Sequence, residues 1–444
     1  MADKKTLEDY LREHQEREQE EQPNQQGGIA LEDFYAFLPT GQFIFVPTRS
    51  LWISSIIDRT LPKVGKIKAS THLIKTRAVQ QMTWSPGDNL LIKDRFIHEG
   101  GWVPHSGAVC FNRYRPPLKI EGDPEGAEPW LALVRKVYPN DADHIVQWFA
   151  QRVQEPHVKT NHALVLGGTT CIGKDSMLKP VLHAVGQWNC ASVSPVEVMG
   201  RFNSFLKSVI LVISEARHLG EISRYAFYEH LKNITAAPPD VLRIDEKHLQ
   251  ESYIPNITGV VITTNHKTDG IFLPADDRRN MVAWSPINMT EFPDGYWNTY
   301  YNWLDNGGFE NVAAFLKSHN LTNFDPKTPP PKTPAFYDIV GASASPEDAE
   351  LADLLDEIGN PEATTLSRLL AAASGPVLEW LSDRKNRRAI PHRLERAGYV
   401  PARNPDANDG LWVINSRRQV VYVRSTLSVA SQQQAARRYY QGTA

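Results

Sequence analysis

Between residues 161 and 290 the chain alternates short apolar runs with stretches in which apolar residues recur every three or four positions. The runs at 163–166, 208–213 and 259–263 have strand length and are apolar throughout, the pattern of strands buried on both faces. Strands alternating with helical segments predict an α/β fold, a parallel sheet covered by helices. Just before it, Trp130, Leu133, Val134 and Val137, then Ile145, Trp148, Phe149 and Val153, have helical spacing and predict helices over 126–160. Residues 29–125 carry short β-like runs at 42–46, 89–92 and 108–111 between proline and glycine turns, which predicts an N-terminal α+β module.

The pattern turns helical again over 291–320, so the core is expected to span 161–324. DPKTPPPKTP at 325–334 opens a stiff proline-rich linker that is expected to run to 345. Residues 346–430 read as three helices and a strand pair turned at Asn408-Asp409-Gly410, the order of a winged-helix-like domain. A charged linker over 1–28 and a tail over 431–444 complete the chain.

Hydrophobic content of 41% and charged content of 22% are ordinary for a globular protein, and a net charge of −3 names no partner. Cys110, Cys171 and Cys190 lie far apart with no CxxC spacing, which argues against a disulfide framework or zinc ribbon and for a reducing cytoplasm. The charged N-terminus lacks the apolar stretch of a signal peptide, and the longest apolar runs are of strand length, so no membrane span is expected.

Gly168-Thr169-Thr170-Cys171-Ile172-Gly173-Lys174 follows one predicted strand and precedes a helical pattern. In that setting GxxxxGK forms a phosphate-binding loop: backbone N–H groups wrap the phosphates, the helix directs its positive end at them, and Lys174 reaches the β and γ phosphates of ATP. The next position ordinarily holds a hydroxyl for magnesium, but Asp175 stands there and Ser176 follows. The strand run at 209–213 ends in Ser214-Glu215 and resembles a Walker B strand, in which the first acidic residue holds the magnesium shell and the second polarises water. Glu215 fits the second role. Ser214 replaces the first, so Asp175 and Ser214 are expected to have exchanged the two magnesium-shell groups; the alternative gives the metal to Ser176.

The order of these elements resembles superfamily 3 helicases, the group that includes papillomavirus, parvovirus and poxvirus-type enzymes. The telling segment is Val241-Leu242-Arg243-Ile244-Asp245-Glu246-Lys247-His248, followed by the run at 259–265 that ends in Asn265. The resemblance covers about 126–290 and looks close to phage and prophage proteins with GKD in the loop. It implies a P-loop AAA+ type core preceded by a helical collar, here the helices over 126–160, ATP and Mg2+, and a β-hairpin whose tip, Lys247 and His248, grips single-stranded DNA. It also implies Asn265 as the residue that senses the γ-phosphate, and an arginine supplied to the neighbouring subunit's nucleotide. That arginine is Arg279 by preference, or Arg278; Arg217 and Lys267 are further interface candidates. A ring is the symmetric way to give each site a neighbour, and the family forms hexamers.

Arg387, Arg388 and Arg393 lie in the basic part of the C-terminal domain and could rest on duplex DNA, with Arg417 and Arg418 on the wing; Pro391 suits a helix starting near Ile390 and leaves the run before it as a loop. The expected function is an ATP-dependent ring helicase moving on single-stranded and forked DNA, encoded by a phage or mobile element and working in the host cytoplasm. The alternative is an ATP-binding replication initiator or regulatory DNA-binding protein with weak or no unwinding. No primase signature is present, so a primase or polymerase partner would be a separate chain.

Overall fold

The computed structural model describes residues 28–119, 121–214, 224–247, 249, 251–267, 271–342 and 346–443. Of the charged linker expected over 1–28, only Gly28 falls within them. The chain divides into two compact units: one holds the described residues up to Ile271 together with Asp276–Phe336, the other Phe272–Ala275 with the described residues from Tyr337 onward. Among the described residues no helix is long and apolar enough to cross a membrane.

In the first unit, Phe34–Phe37 (β1), Gln42–Phe45 (β2) and Ser50–Trp52 (β3) form an antiparallel meander, and Ala78–Val79 (β4) joins β1 in parallel. Helices Ser54–Thr60 (α1) and Ala69–Thr76 (α2) bury Ile57 and Leu73 in one cluster with Phe34 and Phe43. Gln81–Thr83 (β5), Leu91–His98 (β6) and Gly101–Asn112 (β7) form a second sheet, ordered β5-β7-β6. The apolar runs at 89–92 and 108–111 are therefore the two ends of one long hairpin. Its middle is largely exposed and its register shifts between Lys93 and Arg95, which broke the alternation that would have revealed it.

The predicted collar consists of Glu128–Val137 (α3) and Ala142–Gln154 (α4), which bury their apolar stripes. Both are pinned by indole hydrogen bonds: Trp130 Nε1 donates to the Met177 carbonyl at 2.9 Å and Trp148 Nε1 to the His162 carbonyl at 3.1 Å. A buried cation ties down the chain after α4. Arg152, 0% exposed, donates to the carbonyls of Val158, Pro156 and Ile257 at 2.5, 2.8 and 3.0 Å.

Ala163–Gly167 (β8), Cys190–Val193 (β9), Ile210–Ile213 (β10), Gly259–Thr264 (β13) and Asn280–Trp284 (β14) make a five-stranded parallel sheet in the order β14-β8-β13-β10-β9. All residues of β8, β10 and β13 are buried, as their apolar runs require. Strand β9 gave no signal because it is a sheet edge of mixed composition, with no fully buried residue. Lys174–Val185 (α5) follows β8, and Arg224–Thr235 (α6) precedes an antiparallel hairpin of Val241–Ile244 (β11) and Ser252–Pro255 (β12). Tyr296–Trp303 (α7) and Phe309–Ser318 (α8) complete the helical cover.

The proline-rich stretch is not a free linker over 325–334. The Pro326 carbonyl accepts from Asn161 N at 2.7 Å, and the Thr333 hydroxyl donates to the Val282 carbonyl at 2.6 Å, so it is held along the first unit.

In the second unit Pro346–Glu357 (α9), Leu366–Ala372 (α10), Gly375–Ser382 (α11) and Ile390–Arg396 (α12) pack around Leu351, Leu369, Leu381 and Leu394. Ala363–Thr365 (β15), Tyr399–Ala402 (β16) and Val421–Arg424 (β19) form an antiparallel sheet in the order β15-β19-β16. Between β16 and β19 a separate hairpin, Trp412–Ile414 (β17) with Arg417–Gln419 (β18), turns at Asn415 and Ser416, which both take positive φ. The expected turn at Asn408-Asp409-Gly410 is instead part of the loop leading into β17. The expected tail over 431–444 is, where described, most of the helix Val429–Thr443 (α13), whose Ala435 and Ala436 are buried with Trp412 and Val421.

Candidate functional site

The loop between β8 and α5 is shaped by two glycines, Gly168 at φ 145° and Gly173 at φ 95°. A side chain at Gly168 would press on Ile172 and Ser285 at 2.6 and 2.7 Å, and one at Gly173 on Trp297 at 2.4 Å. The loop is anchored by strand β13 and by the segment after β14: Gly168 N donates to the Thr264 carbonyl at 3.2 Å, and Thr169 Oγ1 to the Ile287 carbonyl at 3.2 Å. Ile172 is fully buried, whereas Thr170 and Cys171 are exposed. Residues 170–176 line a cleft of about 520 Å³ with Ser214, Thr263, Thr264 and Asn265. The cleft thus meets the N-terminus of a 12-residue helix, where unpaired N–H groups and the helix dipole favour an anion.

Lys174 opens α5. Its ammonium donates to the carbonyls of Gly168 and Thr169 at 2.7 and 2.8 Å and to Asn265 Oδ1 at 2.8 Å. Burial pulls its pKa down to about 8, against the opposing pull of Asp175 and Cys171. The expected lysine and the expected polar sensor are therefore in direct contact.

Asp175 is exposed and Ser214 half-buried at the end of β10, and both border the cleft. Ser176 borders it too, but its hydroxyl is 2.6 Å from the Tyr301 hydroxyl. Glu215, Arg217 and His248 lie outside the described residues. The cleft has a wall that the sequence reading missed: Met289, Trp297 and Tyr301. Its signal was the run YWNTYYNW at 296–303, too rich in aromatics for an ordinary surface helix.

Arg278 is exposed, whereas Arg279 is half-buried with its Nε enclosed and unpartnered. Buried Asp277 organises this corner, accepting from Tyr228 Oη at 2.8 Å and from the backbone N of Arg279 and Asn280 at 3.0 and 2.9 Å. Of the two arginines, Arg278 is the more exposed. Lys267 lies over the Trp284 ring, 5.6 Å from its centroid. Lys247 is exposed in the turn after β11.

In the second unit, Arg387 and Arg388 are exposed on a 3-10 turn, Arg384–Arg388, capped by Asp383. Pro391 occupies the first turn of α12, as its fixed φ favours. Arg393 does not join them as a free cation: it pairs with Asp348 at 2.9 Å and covers the Trp380 ring at 4.4 Å. Arg417 is exposed next to the hairpin turn, and Arg418 pairs with Asp409 at 3.0 Å.

Fold and site together define a mixed α/β protein built on a parallel sheet, with a glycine-shaped loop and a lysine-led helix at the end of an inner strand. A family model described as "Family of unknown function (DUF5906)" matches residues 166–279. Among curated proteins none matches. The apo structure of the NrS-1 C-terminal region superposes with a TM-score of 0.59 at 15% identity, over 88% of this chain and 95% of that one. An A form apo structure of the same region gives 0.58 at 14%, over 88% and 96%. This likeness is one of fold.

Proposed function

We propose that the chain is an ATP-hydrolysing ring helicase of the superfamily 3 type, which moves along single-stranded DNA during replication of a phage or mobile element. The observation that carries this reading is the Lys174–Asn265 contact at the mouth of a glycine-shaped loop. A phosphate-binding lysine and a polar residue at the tip of the adjacent strand make the minimum needed to bind a γ-phosphate and respond to its loss. The strand order, with loop-bearing β8 between β13 and β14, is the one expected of an AAA+ core.

The residues fit a nucleotide and its metal. The loop backbone offers donors where no Cβ obstructs, and Lys174 can exchange its carbonyl partners for phosphate oxygens. Asp175 and Ser214 would hold magnesium, which neutralises charge on the phosphates. Glu215, next after Ser214, polarises the attacking water, and Asn265 orients it. Arg278 of one subunit completes the site of the next, which makes a hexameric ring the working form. Lys247 follows the DNA backbone, and the exposed Arg387 and Arg388 contact duplex DNA.

The test is displacement of a strand from a forked duplex by the wild type and Lys174→Ala. ATP-dependent displacement that the variant lacks supports the reading. Ser214, in place of a metal-binding carboxylate, favours a second one: an initiator that binds ATP and turns it over weakly. Tight ATP binding by a wild type that displaces no strand would establish the second and overturn the first.

A further inference from the structure

The sequence leaves residues 29–125 without a role, yet they pack against the β11–β12 hairpin. Tyr253 of β12 lies against the His98 ring, with centroids 4.9 Å apart, and its carbonyl accepts from Thr83 Oγ1 at 2.8 Å. Glu246, next to Lys247, is clasped by Arg113 at 3.1 Å and Lys207 at 2.5 Å, while Asp245 receives Arg201 at 2.9 Å. These carboxylates do not offset the cations around them. Arg49, Arg115 and Lys247 form no salt bridge among the described residues.

Arg113 and Lys207 converge on the one carboxylate of Glu246. Burial, then Arg115 and Arg113, hold the Arg49 guanidinium below its usual range. Burial and Arg113 pull the Lys207 ammonium down to about 8, against the pull of Glu246. Like charges gathered at a half-buried site are stabilised by an anion from outside. Aromatic rings are interleaved with them. The Arg115 guanidinium sits 4.8 Å from the centroid of Trp188, a ring that is 41% exposed. Arg201 lies 5.7 Å from that of Phe202, which is 46% exposed. Cations beside partly exposed aromatic rings are what a single strand of nucleic acid requires.

We propose that Arg49 and Arg115, beside the Arg113–Glu246–Lys207 cluster, bind backbone phosphates of single-stranded DNA, with Trp188 as a base platform, on a path that leads to Lys247. The N-terminal module then forms one wall of the DNA track. The inference rests on the motor reading for its ligand, but not on ATP hydrolysis.

The test is anisotropy of a labelled oligodeoxythymidine across a salt series, using the full chain. For single strands the slope of log affinity against log salt is about −0.7 per phosphate contact, so Arg49→Ala/Arg115→Ala is expected to flatten it by about 1.4. Arg115→Lys keeps the slope. If the double variant does not fold, Arg115→Gln alone should flatten it by about 0.7. An unchanged slope in folded variants overturns the inference, and loss of binding in Lys247→Ala would then leave the motor reading standing. Equal competition by blunt duplex overturns the single-strand assignment. A wild type that binds no oligonucleotide overturns both, whatever its rate of ATP turnover.

Discussion

Lys174 Nζ donates to Asn265 Oδ1 at 2.8 Å, joining the first residue of α5 to one 91 positions later, just past the end of β13. With its oxygen turned to the lysine, the Asn265 amide has its N–H groups left for a phosphate oxygen or water. Asn265→Ala is expected to lower kcat by about 10²–10³-fold, the scale for loss of one preorganised donor, with a much smaller change in KM. Steady-state ATP hydrolysis checks this; an unchanged kcat would remove Asn265 from the chemistry.

Asp175 and Ser214 border the same cleft, while Ser176 is engaged by Tyr301. Under the proposed exchange of carboxylate and hydroxyl between the two motifs, Asp175→Thr and Ser214→Asp should each reduce magnesium-dependent hydrolysis by about tenfold or more, and the double variant should regain part of the loss. Rates over a magnesium titration decide it. A double variant as inactive as its parents contradicts the exchange.

Cys171 stands exposed in the loop, whereas Cys110 is buried and Cys190 half-buried. Burial pushes both of the latter thiols up to about 12, leaving little thiolate to react. A maleimide should therefore label Cys171 first in the native protein, abolish hydrolysis, and be slowed by bound ATP. Peptide mapping after brief labelling checks the order; Cys190 modified first would contradict it.

His144 and His162 share one contact, Nε2 to Nε2 at 2.9 Å. Burial pulls His144 down to about 4, and burial together with His144 pulls His162 down to about 3. Both are neutral in the folded chain, while in the unfolded chain each takes a proton near pH 6.5. Stability is complete above about pH 6.5 and falls as pH drops through the window toward 4 and 3, by up to about 1.4 kcal/mol per unit for each histidine. Replacing both with phenylalanine should flatten the fall of Tm between pH 6.5 and 4. An unchanged slope would place the acid sensitivity elsewhere.

The central sheet was legible because β8, β10 and β13 are apolar runs buried along their whole length, and the loop because its glycines serve backbone geometry that no other residue supplies. What escaped were elements whose burial depends on distant partners. Strand β9 is an edge, α13 buries two alanines in an otherwise polar helix, and the hairpin β17–β18 turns on Asn415-Ser416 rather than on a glycine. Arg393 shows the same limit at a candidate site. Its charge is evident from the sequence, but its commitment to Asp348, 45 positions away, is not. Trp297 and Tyr301 were read as helix and emerged as cleft only once α7 was set beside the loop.

The most direct test of the central claim is the rate of ATP hydrolysis with and without single-stranded DNA, for the wild type and for Lys174→Ala. Turnover by the wild type, stimulated by DNA, and none by the variant is the expected result. A wild type that hydrolyses no ATP under either condition, or a variant that hydrolyses it equally well, would contradict it.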